Sequence, residues 1–274
     1  MMAEIEKKWA ACIVYYQDQE SLNNLLTSLS NQTLLPASVF IADNNSTQPI
    51  NLITLPFPVN IIRLNENKGF AGGANTAVKE AINSNFTNLM LLSQDVLLEN
   101  DSAQKLITQL DTSNGIVFPT MINRKTNSVF SKGGNISKFS GSIKLATKGV
   151  PKDLDWADGS CLAFTSELFK STNGLNESYF MYFEDVDFCL QAKSKGFKLT
   201  HVSTIASQTP NGPSPLLRSR NSVLLARRTG SSLFMSSVTK RNILGAISLL
   251  ARFRFNDSAN RLKGIFQGWK MKID

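Results

Sequence analysis

Three carboxylates, Glu184, Asp185 and Asp187, fall within four residues, directly behind the aromatic run Tyr179-Phe180-Met181-Tyr182-Phe183. Acids this close repel one another, so an apolar setting tolerates them only beside a cation or a proton donor. A carboxylate in such a setting is suited to accept a proton as a general base. The same pattern also reads more simply, as acids in a first helical turn that complement the helix dipole.

Four more segments carry polar groups where apolar runs stop. Asp43-Asn44-Asn45-Ser46-Thr47 offers an Asp that can accept hydrogen bonds from a base or ribose, and it is equally good turn chemistry. Asn67-Lys68-Gly69-Phe70-Ala71-Gly72-Gly73-Ala74-Asn75 opens a helix with glycines that let backbone amides approach phosphate oxygens. Its Gly-x-x-Gly-Gly order is a poor match to a dinucleotide fingerprint. Leu91-Leu92-Ser93-Gln94-Asp95 ends an apolar strand on a carboxylate that suits a hard cation bridging a diphosphate, or a helix cap. Trp156-Ala157-Asp158-Gly159-Ser160 sets an aromatic and an acid beside a tight turn, where they face a sugar or close a hairpin.

The elements that must position these groups alternate. Residues 10–16, 39–42, 60–64, 89–92 and 116–118 have strand length and apolar character, with helical spacing at 22–29, 72–83 and 103–110. This predicts an α/β fold, a mostly parallel sheet covered on both faces, with ligands beyond the carboxyl ends of its strands. Residues 120–152 read as loops and short hairpins, 156–164 as a strand, 186–193 as a helix ending at Gly196, and 198–202 as a closing strand. Thr209 to Pro215, with three prolines and a glycine, reads as a mobile loop or a hinge.

Composition narrows the class. With 42% hydrophobic and 18% charged residues in 274, the chain is long enough for a sizeable core. Cys12, Cys161 and Cys189 lie in separate apolar runs without metal-ligand spacing, which predicts buried thiols and a reducing compartment. The apolar stretch 9–16 behind Lys7 and Lys8 is too short for a signal peptide, and no window suits a membrane span. The expectation is a cytoplasmic protein, or one at the cytoplasmic face of the inner membrane.

Charge is concentrated at one end. From Arg218 onward there are 12 Lys and Arg against Asp257 and Asp274, a net of +10, whereas the whole chain is +8. The organisation expected is a catalytic domain over 1–217 and a basic helical extension over 218–274. Segments 231–252 and 258–270 interleave aliphatic and aromatic residues with Lys and Arg. They read as amphipathic helices that contact a membrane surface through 231–274, or pack on the domain or a second subunit in a homodimer. No motif supports nucleic-acid binding.

In their order, Tyr15, Asp43 to Thr47, Asn67 to Asn75, Ser93 to Asp95, Asp158 to Ser160, Gly174 to Phe180 and Glu184 to Asp187 resemble the family 2 glycosyltransferases of GT-A fold. The likeness is greatest to the rhamnosyltransferase-like branch, and it spans about residues 10–228. It implies an inverting transfer from a nucleotide diphosphosugar donor to a lipid-linked or oligosaccharide acceptor, usually with Mg²⁺ or Mn²⁺. By position it assigns Asp185 as the base; adjacent helical residues point about 100° apart, which leaves Glu184 to bind the acceptor or orient the base and Asp187 to stabilise the helix start. Tyr15, Asp43, Asn45, Asn67, Lys68, Gly69, Gly73, Asn75, Gln94 and Arg220 fall to the donor. Trp156, Asp158 and Gly159 fall to the acceptor or sugar, and Asp95 with Gln208 to the metal. The chain departs from the pattern at Ser93, where the family's metal motif has its first Asp, and at Gln208, where a His is common. The reading favoured is rhamnosyl transfer from dTDP-rhamnose to a bacterial surface polysaccharide. The alternatives are a UDP-hexose or galactofuranose transferase, and a subunit that binds nucleotide sugar without turnover.

Overall fold

The computed structural model describes residues 8–273. In chain order the elements are β1 (Trp9–Tyr15), α1 (Gln19–Ser30), β2 (Ser38–Asp43), β3 (Val59–Arg63), α2 (Gly69–Asn83), β4 (Asn88–Ser93), β5 (Leu97–Leu98), α3 (Ser102–Thr112) and β6 (Gly115–Asn123). There follow β7 (Ser128–Ser131), β8 (Gly134–Ser137), β9 (Ser142–Leu145), β10 (Cys161–Thr165), α4 (Ser166–Ser171), α5 (Glu184–Ser194) and β11 (Lys198–Gln208). Three helices close the chain: α6 (Pro215–Arg228), α7 (Ser232–Leu250) and α8 (Phe255–Lys270).

The main sheet runs β3-β2-β1-β4-β10-β6-β11-β5, with β7 beside β6. β1 reads Trp-Ala-Ala-Cys-Ile-Val-Tyr and is buried along its whole length, as a central strand covered on both faces must be. One face packs under α1 and α3 through Leu22, Leu25, Leu26, Leu29, Leu106 and Ile107. The other face is covered by α2, α4 and α5, with Phe164, Phe169 and Phe188 packed ring against ring. Asp18 caps α1 by accepting the Ser21 N–H at 3.0 Å. The three cysteines are buried and unpaired.

Topology decides where a ligand can go. From β1 the chain moves outward through β2 and β3, then returns to the opposite side of β1 as β4. That reversal opens a crevice at the carboxyl ends of β1 and β4. β10 runs antiparallel to β4, so the segment before Cys161 enters at the same edge. β6 is antiparallel to β10 and β11 parallel to β6, which brings the end of β11, Gln208, to that edge as well.

Two expectations are corrected. The apolar run 156–164 is a strand only over Cys161–Thr165; Trp156 forms an isolated bridge with Gly134. Its neighbours leave the ladder because Gly159 must receive a side chain from α5, as described below. The closing strand is longer than 198–202 and extends to Gln208 across an irregularity between His201 and Ile205.

Asn75 in α2 ties the helix to the turn that precedes α5. Its amide donates to Leu175 O (2.8 Å) and to a Glu177 carboxylate oxygen (2.9 Å), and its Oδ1 accepts from Leu175 N (2.9 Å). Removing one member of a buried set leaves the others unpaired, which costs about 1–3 kcal/mol per group. Asn75→Ala should lower stability by about 2–3 kcal/mol in urea titration. A loss below 0.5 kcal/mol would show that the turn needs no such tie.

Candidate active site

The crevice is a cleft of about 680 Å³. Its walls come from the ends of β1, β2 and β4, the start of α2, the 156–160 segment, the β8–β9 hairpin, the start of α5 and the loop 208–213. Among the described residues that line it, five carry a carboxylate (Asp18, Asp95, Asp158, Glu184 and Asp185), against one guanidinium, Arg218.

Asp185 stands in the first turn of α5. One oxygen accepts from Gly159 N at 3.0 Å and the other from Val186 N at 2.8 Å. A side chain on residue 159 would meet the Asp185 Cβ at 2.7 Å, so only glycine lets the loop close over this carboxylate. Burial, and then the Asp158 charge, push the Asp185 carboxyl up to about 7 despite the two amides. Glu184 is buried and held well above the usual carboxylate range by burial and by Asp185; its Oε2 has no partner among the described residues. Asp187 turns away, to Arg228 Nε at 3.1 Å and Gln191 at 2.7 Å, and so anchors α5 to α6. The three carboxylates thus meet three different environments.

The segment feeding α5 is held in an unusual backbone. Phe180, Tyr182 and Phe183 all have positive φ (63°, 70° and 75°). Phe180 centres a γ-turn of the rare positive-φ kind, closed by Met181 N to Tyr179 O at 2.7 Å. The Asn221 amide in α6 donates to the carbonyls of Tyr179, Met181 and Tyr182 at 3.1, 2.8 and 2.8 Å. Arg220 adds a bond to Tyr179 O at 2.6 Å and braces Asn221 Oδ1 at 2.8 Å. On the other side the Phe180 carbonyl sits where a Cβ on Gly69 would be, at 2.1 Å, so the glycine at φ +70° is required there.

The residues singled out from the sequence separate into two groups. Asn67, Gly69, Gln94, Asp95, Trp156, Asp158, Gly159, Glu184, Asp185 and Gln208 line the cleft together. The others do not. Tyr15 is buried in the layer beneath α1, and Gly73 packs against Val14 and Asn44. Asp43 is buried in an ion pair with Arg63 at 2.6 Å and accepts from Ser46 N at 2.9 Å. Asn45 is an exposed turn residue at φ 61°. Lys68 precedes α2, Asn75 is the tie described above, and Arg220 serves the 179–182 backbone.

Asn44, Tyr16, Asp18, Tyr182 and Arg218 line the cleft and were not singled out. Asn44 is buried and joins β2 to α2, donating to Gly69 O at 2.7 Å and accepting from Lys68 N at 3.1 Å. Gly69 N is taken by Asn67 Oδ1 and Ala71 N by the Phe180 carbonyl. Three amides at this helix start, those of Lys68, Gly69 and Ala71, are therefore already taken within the protein, and Gly69 and Gly73 serve close packing. The available signal for Arg218 was its position just past the Pro- and Gly-rich loop.

A divalent cation is tested by the donor set. Asp95 lies in the turn just past β4, in the cleft, its carboxyl raised by burial, and accepts from Gln208 Nε2 at 2.7 Å. Gln208 Oε1 is taken by Ser160 Oγ at 2.9 Å, so Gln208 turns its nitrogen, not its oxygen, towards Asp95. No group of three or more His, Cys, Asp or Glu suited to a metal occurs among the described residues. His201 bonds Thr120 at 2.8 Å and lies outside the cleft lining. What fits is Mg²⁺ held by one carboxylate and chiefly by phosphate oxygens of a ligand. The excess of acids over Arg218 favours a cation there.

The sheet order and the cleft at its switch point define a GT-A fold. A Staphylococcus aureus TarS fragment (residues 1–349) in complex with UDP superposes with a TM-score of 0.55 at 16% identity, over 97% of this chain and 76% of that one. The structure of GalNAc-T7 with UDP, GalNAc and Mn²⁺ gives 0.64 at 14% identity, over 91% and 54%. Residues 10–171 match the glycosyl transferase family 2 profile, and the chain belongs to that family. It is 26% identical over 201 residues to the low-salt glycan biosynthesis hexosyltransferase Agl10 of Haloferax volcanii, covering 70% of this chain and 64% of that one. It is 24% identical over 129 residues to rhamnosyltransferase WbbL of Escherichia coli K12, covering 42% and 48%. The chain thus spans less than two thirds of the length of the curated relatives it matches.

Asn221→Ala removes the donor for three carbonyls. It should cost about 2–4 kcal/mol of stability, at the upper end for one buried side chain. Under conditions where the variant remains folded, turnover should fall more than donor affinity, because the fault lies in the backbone that aims α5. Equal loss of both would mean that the segment shapes the donor pocket instead.

Proposed function

We propose that this protein is an inverting glycosyltransferase that uses a nucleotide diphosphosugar, with Asp185 as the base. The observation that carries this reading is one carboxylate, held near neutral pKa, at the cleft face of a helix start. Inversion needs a base that takes the acceptor hydroxyl proton as that oxygen attacks the anomeric carbon. Asp185 lines the cleft, and two amides fix its orientation there. Glu184 would bind the acceptor or orient the base. The departing diphosphate needs positive charge, which Arg218 supplies from the loop side of the cleft. A bound Mg²⁺ or Mn²⁺, held by Asp95, would supply the rest.

Rhamnose from dTDP-rhamnose is the donor we favour, and a growing bacterial surface polysaccharide the acceptor; the likeness to the rhamnosyltransferase WbbL supports the sugar. A UDP-hexose is the second reading, supported by the longer match to a hexosyltransferase. A thermal-shift series across nucleotide sugars, with and without Mg²⁺, separates them: the true donor should raise the melting temperature most.

Asp185→Asn should abolish transfer while donor binding stays within about twofold, since an amide keeps the shape and loses the proton acceptor. A variant with normal turnover would remove Asp185 as base. The pH profile follows from the raised carboxyl. Below about 7 Asp185 keeps its proton and cannot accept another. The transfer rate should therefore fall about tenfold per pH unit on the acid side and level off above neutrality. A limb breaking near pH 4 would point to an unperturbed acid. Asp95→Ala should remove any gain in donor affinity that Mg²⁺ confers, and an unchanged gain would place the metal elsewhere.

A further inference from the structure

The two C-terminal helices are built inside out. α7 turns Phe234, Val238, Asn242 and Ala246 inward. On its opposite side Leu233, Ile243, Leu244, Ile247 and Leu250 are 42–55% exposed and recur at helical spacing. α8 shows the same inversion more strongly. It packs on α6 through Gly264 and Gly268, where a Cβ on Gly264 would meet Ser219 Oγ at 2.1 Å, and on α7 through Ser258, whose hydroxyl donates to Ala246 O at 2.9 Å. Its bulky residues Phe255, Leu262, Phe266 and Trp269 face outward, 43–61% exposed. A groove lined by Ile243, Leu244 and Trp269 joins the two stripes into one surface. The tip of the β8–β9 hairpin is tied to α7 by Ser237 Oγ donating to Phe139 O at 2.7 Å, and Phe139 is 83% exposed.

Large exposed apolar surfaces of this kind mark an interaction site. The charge around it selects the partner. Lys240, Arg241, Arg252, Lys263, Lys270 and Lys272 are all exposed on these helices, the link between them and the short segment after them. Among the described residues of 231–273 the one acid is Asp257, already paired with Arg254. A two-fold contact would set this patch against itself and bring like charges together. An anionic lipid headgroup layer neutralises those charges, while the aliphatic and aromatic side chains enter the acyl boundary. No helix among the described residues is long and apolar enough to cross a membrane, which leaves a seat in the interface plane.

We infer that the outer face of α7 and α8 is a docking surface for an anionic lipid bilayer. The hairpin whose tip touches α7 also contributes Ile143 and Leu145 to the cleft wall. A lipid-borne acceptor would therefore reach the cleft from the membrane side. That last extension rests on the transfer reading above, whereas the docking face does not.

The test uses the full chain and vesicles without substrate, so its result is independent of any activity. The protein should cosediment with vesicles of phosphatidylglycerol and phosphatidylcholine, and not with phosphatidylcholine alone. Leu244→Glu, Ile247→Glu and Phe266→Glu combined should reduce partitioning at least about tenfold, as expected when the buried apolar area and net positive charge fall together. These positions are exposed, and an unchanged melting temperature confirms that the fold is kept. Lys240→Glu with Lys263→Glu should weaken binding to the acidic vesicles and make it less sensitive to salt. The proposal is overturned if the wild-type chain ignores acidic vesicles, or if the apolar triple variant binds as well as wild type. It is also overturned if sedimentation velocity shows a dimer that the triple variant dissolves, with no vesicle binding; the face would then be a subunit interface.

Discussion

One buried amide holds together the part of this molecule that can do chemistry. The segment 180–183 contains three aromatic residues at positive φ, and each such position costs on the order of 1–3 kcal/mol. No local contact offsets that cost, since an intramolecular hydrogen bond contributes only about 1 kcal/mol net. The segment persists because Asn221, fully buried in α6, gathers three of its carbonyls at once. Tyr179 O alone accepts from Met181, Arg220 and Asn221. In water those carbonyls would be solvated; inside the protein these donors replace the water, so the twisted path leaves none of the three carbonyls unpaired.

From that constraint the rest of the site follows. The twist delivers α5 so that its first turn opens into the cleft, with Phe183 in a left-handed conformation at the cap position. Gly159 then yields to Asp185 and Gly69 yields to Phe180, so both glycines mark places where α5 and its lead-in touch other segments. Asp187 closes the arrangement through Arg228, back on α6. Residue 217 lies in the first turn of α6, and α8 packs along the same helix. The C-terminal helices therefore support the helix that holds the lead-in to α5. The lipid-facing surface inferred for α7 and α8 is the outer side of that support, so docking and the cleft share one rigid element.

Electrostatics inside the cleft show the same economy. Burial raises Asp95, Asp158, Glu184 and Asp185 together, because the crevice desolvates all of them and offers a single guanidinium. Such a site is poised to take up protons and cations. A diphosphate entering alone would meet net negative charge, which is the physical ground for expecting a divalent ion to enter with it.

Much of the fold was legible in the chain. Continuous apolar runs such as 10–16 and the leucine spacing of α1 dictate a buried parallel strand and a covering helix, because burial of both faces leaves no alternation. The order of the polar segments at strand ends is also a property of the sequence and carries the family resemblance, while membership rests on the profile match over residues 10–171. The sequence could not show that Trp156 to Ser160 leaves the ladder. Its apolar character reads as a strand, and only the approach of Asp185 requires a loop there. Nor could it show that Asn75, Asp43 and Arg220 spend their side chains on backbone and ion-pair contacts, since residue type alone gives no partner 20 to 100 positions away. Local pattern fixes which segments are strands and helices, through periodicity and turn chemistry. Which carboxylate two amides hold in the cleft, which turns to α6 and which keeps an unpartnered oxygen depends on the packing of α5 between distant segments, and that only the tertiary structure decided.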